Sequence, residues 1–366
     1  MLKAGLIGCG NICGAYLRNN DVFPHVRIVK CASRRAESAR AAAEEFGIRA
    51  VSVDELICDP EIDVILNLTP PAAHVELNLR ALEAGKHVYT EKPFAITREE
   101  GRKVLRLAAE KGLRIGCAPD TFLGGGHQTC RKLVDDGSVG RITAGCAVMA
   151  CRGHESWHPS PGFFFQRGGG PLMDMGPYYL TALVNLLGPV KRVAGFGNRA
   201  ANARTGSGVN EGKIFPVEVD THVAALLEFA SGAVVNLTMS FDVFRLSGQL
   251  RNCIELWGLD GALRTPDPNT FSGEIRLANA GTPTEWETPE ITFPYNDNMR
   301  LIGLADMAAG IELGRPHRCG GELVYHVSDV MWSILDAMES RQTVTVQSTC
   351  TRPAPLREGL VSGELD

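Results

Sequence analysis

Three groups of residues in the sequence carry chemistry that a folded chain could use. Gly8-Cys9-Gly10-Asn11-Ile12 follows one apolar segment, Glu91-Lys92-Pro93 follows another, and Asp174 and Tyr178 stand four residues apart. Glycines after a strand let a phosphate group approach the backbone, and a lysine supplies a fixed positive charge. A carboxylate and a phenol four positions apart on a helix share one face and can meet at a substrate hydroxyl. These are the residue types that nucleotide binding and proton transfer require.

The first third of the chain has the pattern that positions such groups. Short apolar runs predict strands at 2–8, 26–33, 63–68, 86–90 and 113–117, and the segments 35–46, 72–84 and 98–111 have helical spacing. A glycine follows each of these helices, at the position where a left-handed cap favours glycine. Strands that alternate with helices and are apolar throughout predict an α/β fold with a doubly wound parallel sheet.

The pattern changes after residue 118. His222–Phe229 and Ala233–Asp242 flank a Ser-Gly pair, which predicts a β-hairpin, and further strands are expected near Arg141 and at 253–257 and 273–277. Helices are expected at 127–136, 301–313 and 322–340. We therefore predict a dinucleotide-binding domain at 1–118, a second α/β domain with an open, mainly antiparallel sheet at 119–347, and a tail at 348–366. Residues 199–213 are expected to form a loop.

One helix of the second domain should carry Asp174 and Tyr178. A proline is tolerated in the first turn of a helix but costs about 3 kcal/mol in its interior. Pro177 therefore predicts that the helix running to Leu187 begins close to Asp174. That start would make Asp174 an N-cap or first-turn carboxylate, or alternatively a substrate ligand.

The first βα turn predicts a nucleotide site. Gly8 permits the tight turn and Gly10 the approach of a pyrophosphate, with Asn11 and Ile12 beside it. The third glycine of the usual fingerprint is replaced by Cys13, so a βα turn without a ligand is the alternative.

The end of the second predicted strand bears on the choice of cofactor. It reads Ser33-Arg34 and lacks the carboxylate that binds the ribose of NAD. A serine and an arginine suit a 2′-phosphate, so NADP(H) is favoured over NAD(H). The alternative is that the arginine is simply solvated.

Ligands of such sheets bind at the carboxyl ends of the strands. Thr69, Pro70 and His74 follow the fourth predicted strand, Glu91 and Lys92 follow the fifth, and we expect them at the cofactor. The alternative for Lys92 is that it is a surface lysine without a function, paired with Glu91.

Candidate substrate residues are aromatic or polar. Trp157 and His158 lie in a loop before the Asp174 helix, where an indole face suits the C–H face of a sugar and an imidazole can bind a hydroxyl. Packing of a domain interface is the alternative for both. Asp120, just after the sixth predicted strand, is a further candidate. No Cys/His cluster has zinc spacing, and no metal site is expected.

Taken together, the motifs resemble the Gfo/Idh/MocA oxidoreductases, which include glucose–fructose oxidoreductase and inositol dehydrogenase. The likeness covers nearly the whole chain. It rests on the GCGNI turn, the TPPxxH segment ending at His74, Glu91-Lys92-Pro93, Asp174-x-Gly-x-Tyr178, and the strand 254–258 with the following Gly-Ala-Leu. The resemblance implies a Rossmann domain and a second domain whose open sheet often forms the oligomer interface, so a homo-oligomer is expected.

The resemblance also implies roles for three residues. Lys92 matches the catalytic lysine of the family and Asp174 its carboxylate, whereas Tyr178 stands where the commoner members have histidine. Some branches, including glucose–fructose oxidoreductase and dimeric dihydrodiol dehydrogenase, use tyrosine there. A free tyrosine has a pKa near 10 and a nearby ammonium favours the phenolate, so Tyr178 is expected to be the acid/base. Proton transfer by Lys92 itself is the alternative.

The function implied is hydride transfer between nicotinamide and a secondary alcohol or ketone of a sugar, polyol or cyclitol. Two alternatives stay open: a glycoside hydrolase or isomerase that retains its nucleotide, and a non-catalytic nucleotide-binding regulator.

Composition narrows the class of protein. The 366 residues carry a net charge of −5, which argues against nucleic-acid and membrane-surface partners, and no apolar run approaches the roughly 20 residues of a membrane span. Eleven scattered cysteines are typical of reduced thiols in a cytoplasmic protein.

Overall fold

The computed structural model of the protein describes residues 1–244, 252–281 and 285–366. These residues fall into two units. The first contains residues 1–128, 291–328 and 353–366, and the second contains 129–290 and 329–352. The predicted boundaries at residues 118 and 347 stay predictions, because a division by spatial contacts need not follow the limits of a folding domain.

The first unit is built on a six-stranded parallel sheet in the order β3-β2-β1-β4-β5-β6. Its strands are β1 (Leu2–Ile7), β2 (Val26–Ala32), β3 (Arg49–Ala50), β4 (Val64–Asn67), β5 (His87–Thr90) and β6 (Ile115–Cys117). The helices between them are α1 (Cys13–Leu17), α2 (Ala36–Phe46), α3 (Val53–Cys58), α4 (Pro71–Glu83) and α5 (Arg98–Glu110). The predicted doubly wound parallel sheet is confirmed. Gly47, Gly85 and Gly112 have positive φ just past the helices that they end, as expected.

The register of this sheet aligns the carboxyl ends of five strands. Ile7 pairs with both Ala32 and Asn67, Asn67 pairs with Thr90, and Thr90 pairs with Cys117. The ladder continues one residue further, since the N–H groups of Gly8, Leu68, Glu91 and Ala118 each donate to a carbonyl of this row. The loops that follow these strands therefore all begin at one edge of the sheet.

The second unit contains an eight-stranded sheet in the order β15-β14-β13-β7-β12-β11-β8-β16. Its strands are β7 (Ile142–Ala150), β8 (Val190–Asn198), β11 (His222–Phe229), β12 (Val234–Ser240), β13 (Cys253–Gly258), β14 (Gly261–Arg264), β15 (Arg276–Asn279) and β16 (Val344–Thr345). All neighbours are antiparallel except β7 and β12, so the predicted mainly antiparallel sheet is confirmed.

Four further helices complete the fold. They are α6 (Gly125–Asp135), α7 (Gly170–Leu187), α8 (Ile302–Glu312) and α9 (Gly321–Ser340). A two-stranded ribbon of β9 (Ala203–Thr205) and β10 (Ile214–Pro216) replaces part of the loop expected at 199–213, and that expectation was wrong there. Within the described ranges, no helix is both long and apolar enough to cross a membrane.

The predicted start of the helix α7 was also wrong. It begins at Gly170, with Pro171 in its first turn, and Pro177 lies inside it. Sixteen of its 18 residues are buried, so tertiary packing outweighs the local penalty of one interior proline. Asp174 consequently lies within the helix and neither caps it nor occupies its first turn.

Two glycines with positive φ should differ in their tolerance of a side chain. A Cβ atom at Gly8 would lie 2.7 Å from the backbone carbonyl of Leu68, whereas one at Gly47 would meet no atom within 4 Å. We expect Gly47→Ala to cost about 1 kcal/mol of unfolding free energy, the price of the left-handed backbone alone. Gly8→Ala should cost roughly 3 kcal/mol, because the backbone must also shift. Urea denaturation of both variants measures the difference, and equal losses would contradict this account of Gly8.

Candidate active site

The turn after β1 leaves backbone open to a ligand. Gly8 brings the turn against Leu68, while a Cβ atom at the exposed Gly10 would meet nothing of the protein within 4 Å. The carbonyl of Gly10 accepts a hydrogen bond from the N–H of Cys13. The N–H groups of Gly10, Asn11 and Ile12, in contrast, have no acceptor among the described residues. Open N–H groups beside a glycine without close neighbours form a cradle that fits a pyrophosphate.

The end of β2 presents a neutral and a basic side chain. Ser33 is half-buried and Arg34 is exposed, and the described residues give neither side chain a hydrogen bond or ion pair. Carboxylates are absent from positions 31–35, and the first acidic residue is Glu37 in the first turn of α2. This edge can accept a negatively charged group.

His74 connects two of the loops at this edge. It is 1% exposed, and its Nε2 and Nδ1 atoms lie 2.6 Å and 2.9 Å from the backbone oxygens of Thr69 and Pro93. Burial lowers the pKa of this imidazole. Pro70 is exposed at the N-cap of α4, so Thr69 and Pro70 are the members of this segment that a ligand can approach, with His74 behind them. Direct contact of His74 with a cofactor stays a prediction.

Asn67, the last residue of β4, holds the same loop by hydrogen bonds. Its Oδ1 accepts bonds from the N–H and the hydroxyl of Thr69 at 3.2 Å and 2.6 Å, and its Nδ2 donates to Asn78 and to the carbonyl of His74. Asn67 is fully buried. Hydrogen bonds of the Asn67 amide, in place of apolar contacts, therefore hold the backbone where β4 ends.

Glu91 and Tyr16 link the turn after β1 (the nucleotide turn, residues 8–12) to the loop after β5 that carries Lys92 (the lysine loop, residues 91–93). The Tyr16 hydroxyl, on α1, donates to Glu91 Oε1 at 2.8 Å, and Glu91 Oε2 accepts the N–H of Lys92 at 3.0 Å. Both Tyr16 and Glu91 are buried, whereas Lys92 is half-buried. Glu91 thus orients the backbone of Lys92.

Asp120 lies in the core of the first unit. Its side chain has no exposed surface, and its oxygens accept bonds from the N–H groups of Leu301 at 3.3 Å and Gly303 at 3.2 Å and from Arg300 at 3.4 Å. Burial raises the pKa of this carboxyl. Asp120 therefore holds the backbone at the start of α8, and its contact with a substrate stays a prediction.

In the second unit, α7 carries Asp174 and Tyr178 one turn apart. His154 Nε2 lies 3.2 Å from Asp174 Oδ2. Tyr178 is 6% exposed, and the hydroxyl of its neighbour Tyr179 donates to Asp267 at 3.2 Å. The i,i+4 relation inferred from the sequence holds even though the helix starts earlier than expected.

The loop before α7 is rich in aromatic rings. Trp157 is 59% exposed, whereas His158 is half-buried. The centroid of the His158 ring lies 5.5 Å from that of Phe163 and 5.2 Å from that of Phe164. Burial lowers the pKa of the His158 imidazole. Trp157 therefore offers a ring face to solvent, while His158 partly packs within the loop.

Tyr16, Asn67 and His154 contact candidate site residues, but their residue types and spacing did not single them out. Each acts through a partner distant in sequence or through its own burial, which no local spacing reveals. His154 lay in the segment singled out for Trp157 and His158, but only its distance to Asp174 distinguishes it. Among the described residues, no group of three or more His, Cys, Asp or Glu side chains could hold a metal ion. The eleven cysteines, all within the described ranges, form no disulfide.

Two family models match the chain. Residues 2–118 match the oxidoreductase family with an NAD-binding Rossmann fold, and residues 127–264 match the GFO/IDH/MocA C-terminal domain. A dTDP-3,4-didehydro-2,6-dideoxy-α-D-glucose 3-reductase of Streptomyces violaceoruber is 33% identical over 59% of this chain and 67% of the relative. A reductase of the same name from Saccharopolyspora spinosa is 28% identical over 87% of this chain and 91% of the relative.

The fold is shared with solved structures. A levoglucosan dehydrogenase in complex with NADH and L-sorbose superposes with a TM-score of 0.80 at 23% identity, over 95% of this chain and 99% of that chain. These matches confirm the resemblance, the fold class and the oxidoreductase function inferred from the motifs. The chain belongs to the GFO/IDH/MocA oxidoreductase family and is an NAD(P)-dependent oxidoreductase acting on CH–OH groups.

Proposed function

We propose that the protein interconverts a secondary hydroxyl and a ketone of a sugar, polyol or cyclitol, with Lys92, Asp174 and Tyr178 as its catalytic residues. The observation that carries the proposal is the helical pair Asp174 and Tyr178 in a chain that also has the Glu91-Lys92-Pro93 loop at the edge of a nucleotide-binding sheet. Relatives named as sugar reductases and dehydrogenases favour this reaction over a hydrolase, an isomerase or a regulator.

The cofactor would be held at the edge of the parallel sheet. Gly8, Gly10, Asn11 and Ile12 would bind the pyrophosphate, and Ser33 with Arg34 the adenosine ribose or its phosphate. Thr69, Pro70, Glu91 and Lys92 would lie toward the nicotinamide, behind which His74 supports the loop. The nicotinamide supplies or accepts the hydride when bound.

The protein's own part is to handle the proton and the developing charge. Tyr178 takes the proton of the substrate hydroxyl during oxidation and returns it during reduction. The Lys92 ammonium stabilises negative charge that develops on the substrate oxygen. Asp174 accepts a hydrogen bond from a substrate hydroxyl, and Trp157 and His158 contact the sugar ring. Proton transfer by Lys92 is the alternative to Tyr178.

The open face of the eight-stranded sheet supports a homo-oligomer. On one face of this sheet, Phe196 of β8 is 73% exposed, and Leu226 of β11, Val234 of β12 and Trp257 of β13 are also exposed. Exposed apolar side chains on one face of a sheet are typical of an interface between subunits. We propose a homo-oligomer that buries this face, in a cytoplasmic protein.

The assignment of the proton donor is tested with two adjacent tyrosines. Tyr178→Phe and Tyr179→Phe each remove one hydroxyl, but only Tyr178 is proposed to touch the substrate. Purified enzyme would be offered aldoses, polyols, cyclitols, anhydrosugars and glycosides with NADP or NAD, and formation of reduced cofactor followed by absorbance. We expect kcat to fall at least about 100-fold in Tyr178→Phe and to stay near wild type in Tyr179→Phe.

The other outcomes of this assay separate the alternatives. Activity that survives in Tyr178→Phe but is lost in Lys92→Met would move the proton transfer to Lys92. Substrate turnover without net change of the cofactor would contradict the dehydrogenase and favour the hydrolase or isomerase. Tightly bound nucleotide with no turnover of the panel would favour the regulator.

The cofactor preference is tested at Arg34. Because its exposed guanidinium stands beside Ser33 without a nearby carboxylate, we propose that the enzyme prefers NADP(H). Arg34→Ala should lower the ratio of kcat/KM for NADPH over NADH by about 10- to 100-fold, while Arg40→Ala on the exposed face of α2 should leave it unchanged. A wild-type enzyme that prefers NADH would overturn this proposal.

The oligomer is tested by placing charges on the sheet face. Phe196→Glu with Leu226→Glu should shift the sedimentation coefficient of the protein to that of a monomer, because two charges on a buried apolar face are costly. Leu313→Glu, at a leucine after α8 that is 60% exposed, is the control. A wild-type protein that sediments as a monomer at micromolar concentration would contradict the proposal.

A further inference from the structure

His154 lies beside Asp174 although neither helical spacing nor chain neighbourhood brings them together. Its Nε2 atom is 3.2 Å from Asp174 Oδ2, and the two side chains are 12% and 13% exposed. At such burial, a carboxylate–imidazole contact is screened little by water and holds a defined geometry. This contact is therefore able to orient the carboxylate.

The imidazole ring of His154 is fixed by its neighbours. The rings of Trp157, Phe164 and Phe241 lie 5.2 Å, 4.2 Å and 4.7 Å from it between centroids, all in edge-on arrangements. Edge-on aromatic contacts on several sides leave a ring few alternative orientations. Nε2 is consequently held toward Asp174.

The backbone that carries the ring is fixed as well. Arg204, on β9, donates to Glu155 Oε1 at 2.6 Å and to Asp242 Oδ1 at 2.6 Å, and also binds the carbonyl of Arg152. Asn210 donates to the carbonyls of Glu155 at 3.2 Å and His158 at 2.7 Å. The ribbon segment 203–210 thus holds the loop on both sides of His154.

The surroundings of the His154 ring also determine which of its two nitrogen atoms carries a proton. Nδ1 is buried and has no hydrogen-bond partner among the residues that the structure describes, and Nε2 faces a carboxylate oxygen. A proton on Nε2 makes a charge-assisted bond, whereas a proton on Nδ1 would bury an N–H group without an acceptor and turn a lone pair toward the carboxylate. The geometry therefore selects a ring that carries a proton on Nε2.

We propose that His154 is a positioning residue that holds the Asp174 carboxylate in one orientation by donating Nε2–H to Oδ2. This inference rests on the proposed function, in which Asp174 binds the substrate. Because a carboxylate is planar, a bond that fixes Oδ2 also fixes the direction of Oδ1. Misplacement of a catalytic group by about 1 Å can cost a factor of about 100 in rate, which sets the scale of the effect.

Two substitutions separate the hydrogen bond from the packing. His154→Phe keeps an aromatic ring among Trp157, Phe164 and Phe241 but removes the donor, whereas His154→Gln supplies an N–H group close to the position of Nε2. We expect kcat to fall about 10- to 100-fold in His154→Phe, with little change in the KM for the cofactor, and to recover to within about fivefold of wild type in His154→Gln. Circular dichroism and urea denaturation check that both variants are folded.

A double-mutant cycle with Asp174→Asn tests whether His154 acts through Asp174. In that background, His154→Phe should lower kcat by less than about twofold further. Equal effects of His154→Phe in both backgrounds, or a wild-type kcat in His154→Phe, would overturn the inference while leaving the proposed function intact. Full activity of Asp174→Asn would overturn the role of Asp174 itself.

A measurement without substrate tests the same contact. Nitrogen-15 NMR of the histidine side chains should show a proton on Nε2 of His154. The matched Asp174→Asn variant should shift the Nε2 resonance, because the charged acceptor is gone. A His154 ring protonated on Nδ1 alone, or a resonance that is insensitive to Asp174→Asn, would contradict the proposed bond.

Discussion

The hydrogen-bonded register of the parallel sheet is the constraint on which the cofactor site depends. Ala32, Ile7, Asn67, Thr90 and Cys117 form one row across five strands, and the ladder continues into the first residue of the loop after four of them. Parallel strands that are joined by helices must all deliver their loops at the same edge. A shift of one residue in a single strand would turn the next side chain to the opposite face of the sheet and move its loop away from this edge.

Buried polar contacts then determine the shape of the loops that the sheet aligns. Asn67 binds Thr69, His74 binds Thr69 and the carbonyl of Pro93, and Glu91 receives both Tyr16 and the N–H of Lys92. Buried hydrogen bonds are directional, so they specify one loop conformation where apolar contacts would accept several. The lysine loop is thereby linked to the first helix after the nucleotide turn.

Much of this arrangement follows from local sequence patterns. Apolar runs separated by helical segments predicted the parallel sheet, and glycines predicted the ends of three helices, because both depend on neighbouring residues. Residue type did not predict how deeply a side chain is buried. His74 and Asp120 are expected at the site because they are polar and follow strands, and both are buried with hydrogen bonds to backbone groups. The helix around Pro177 also exceeded its local prediction, since burial along α7 outweighs one missing N–H.

The part of the site that sequence spacing could not supply is the environment of Asp174. The four-residue interval to Tyr178 is a property of one helix. His154, in contrast, is twenty positions from Asp174 and lies in a loop that Arg204 and Asn210 hold. That ribbon lies in a stretch whose Gly, Ser and Asn content indicates a loop, so its strands were not expected. A candidate catalytic residue can thus be found from a motif, whereas the groups proposed to orient it are found from long-range contacts, and the precision of such a site depends on both.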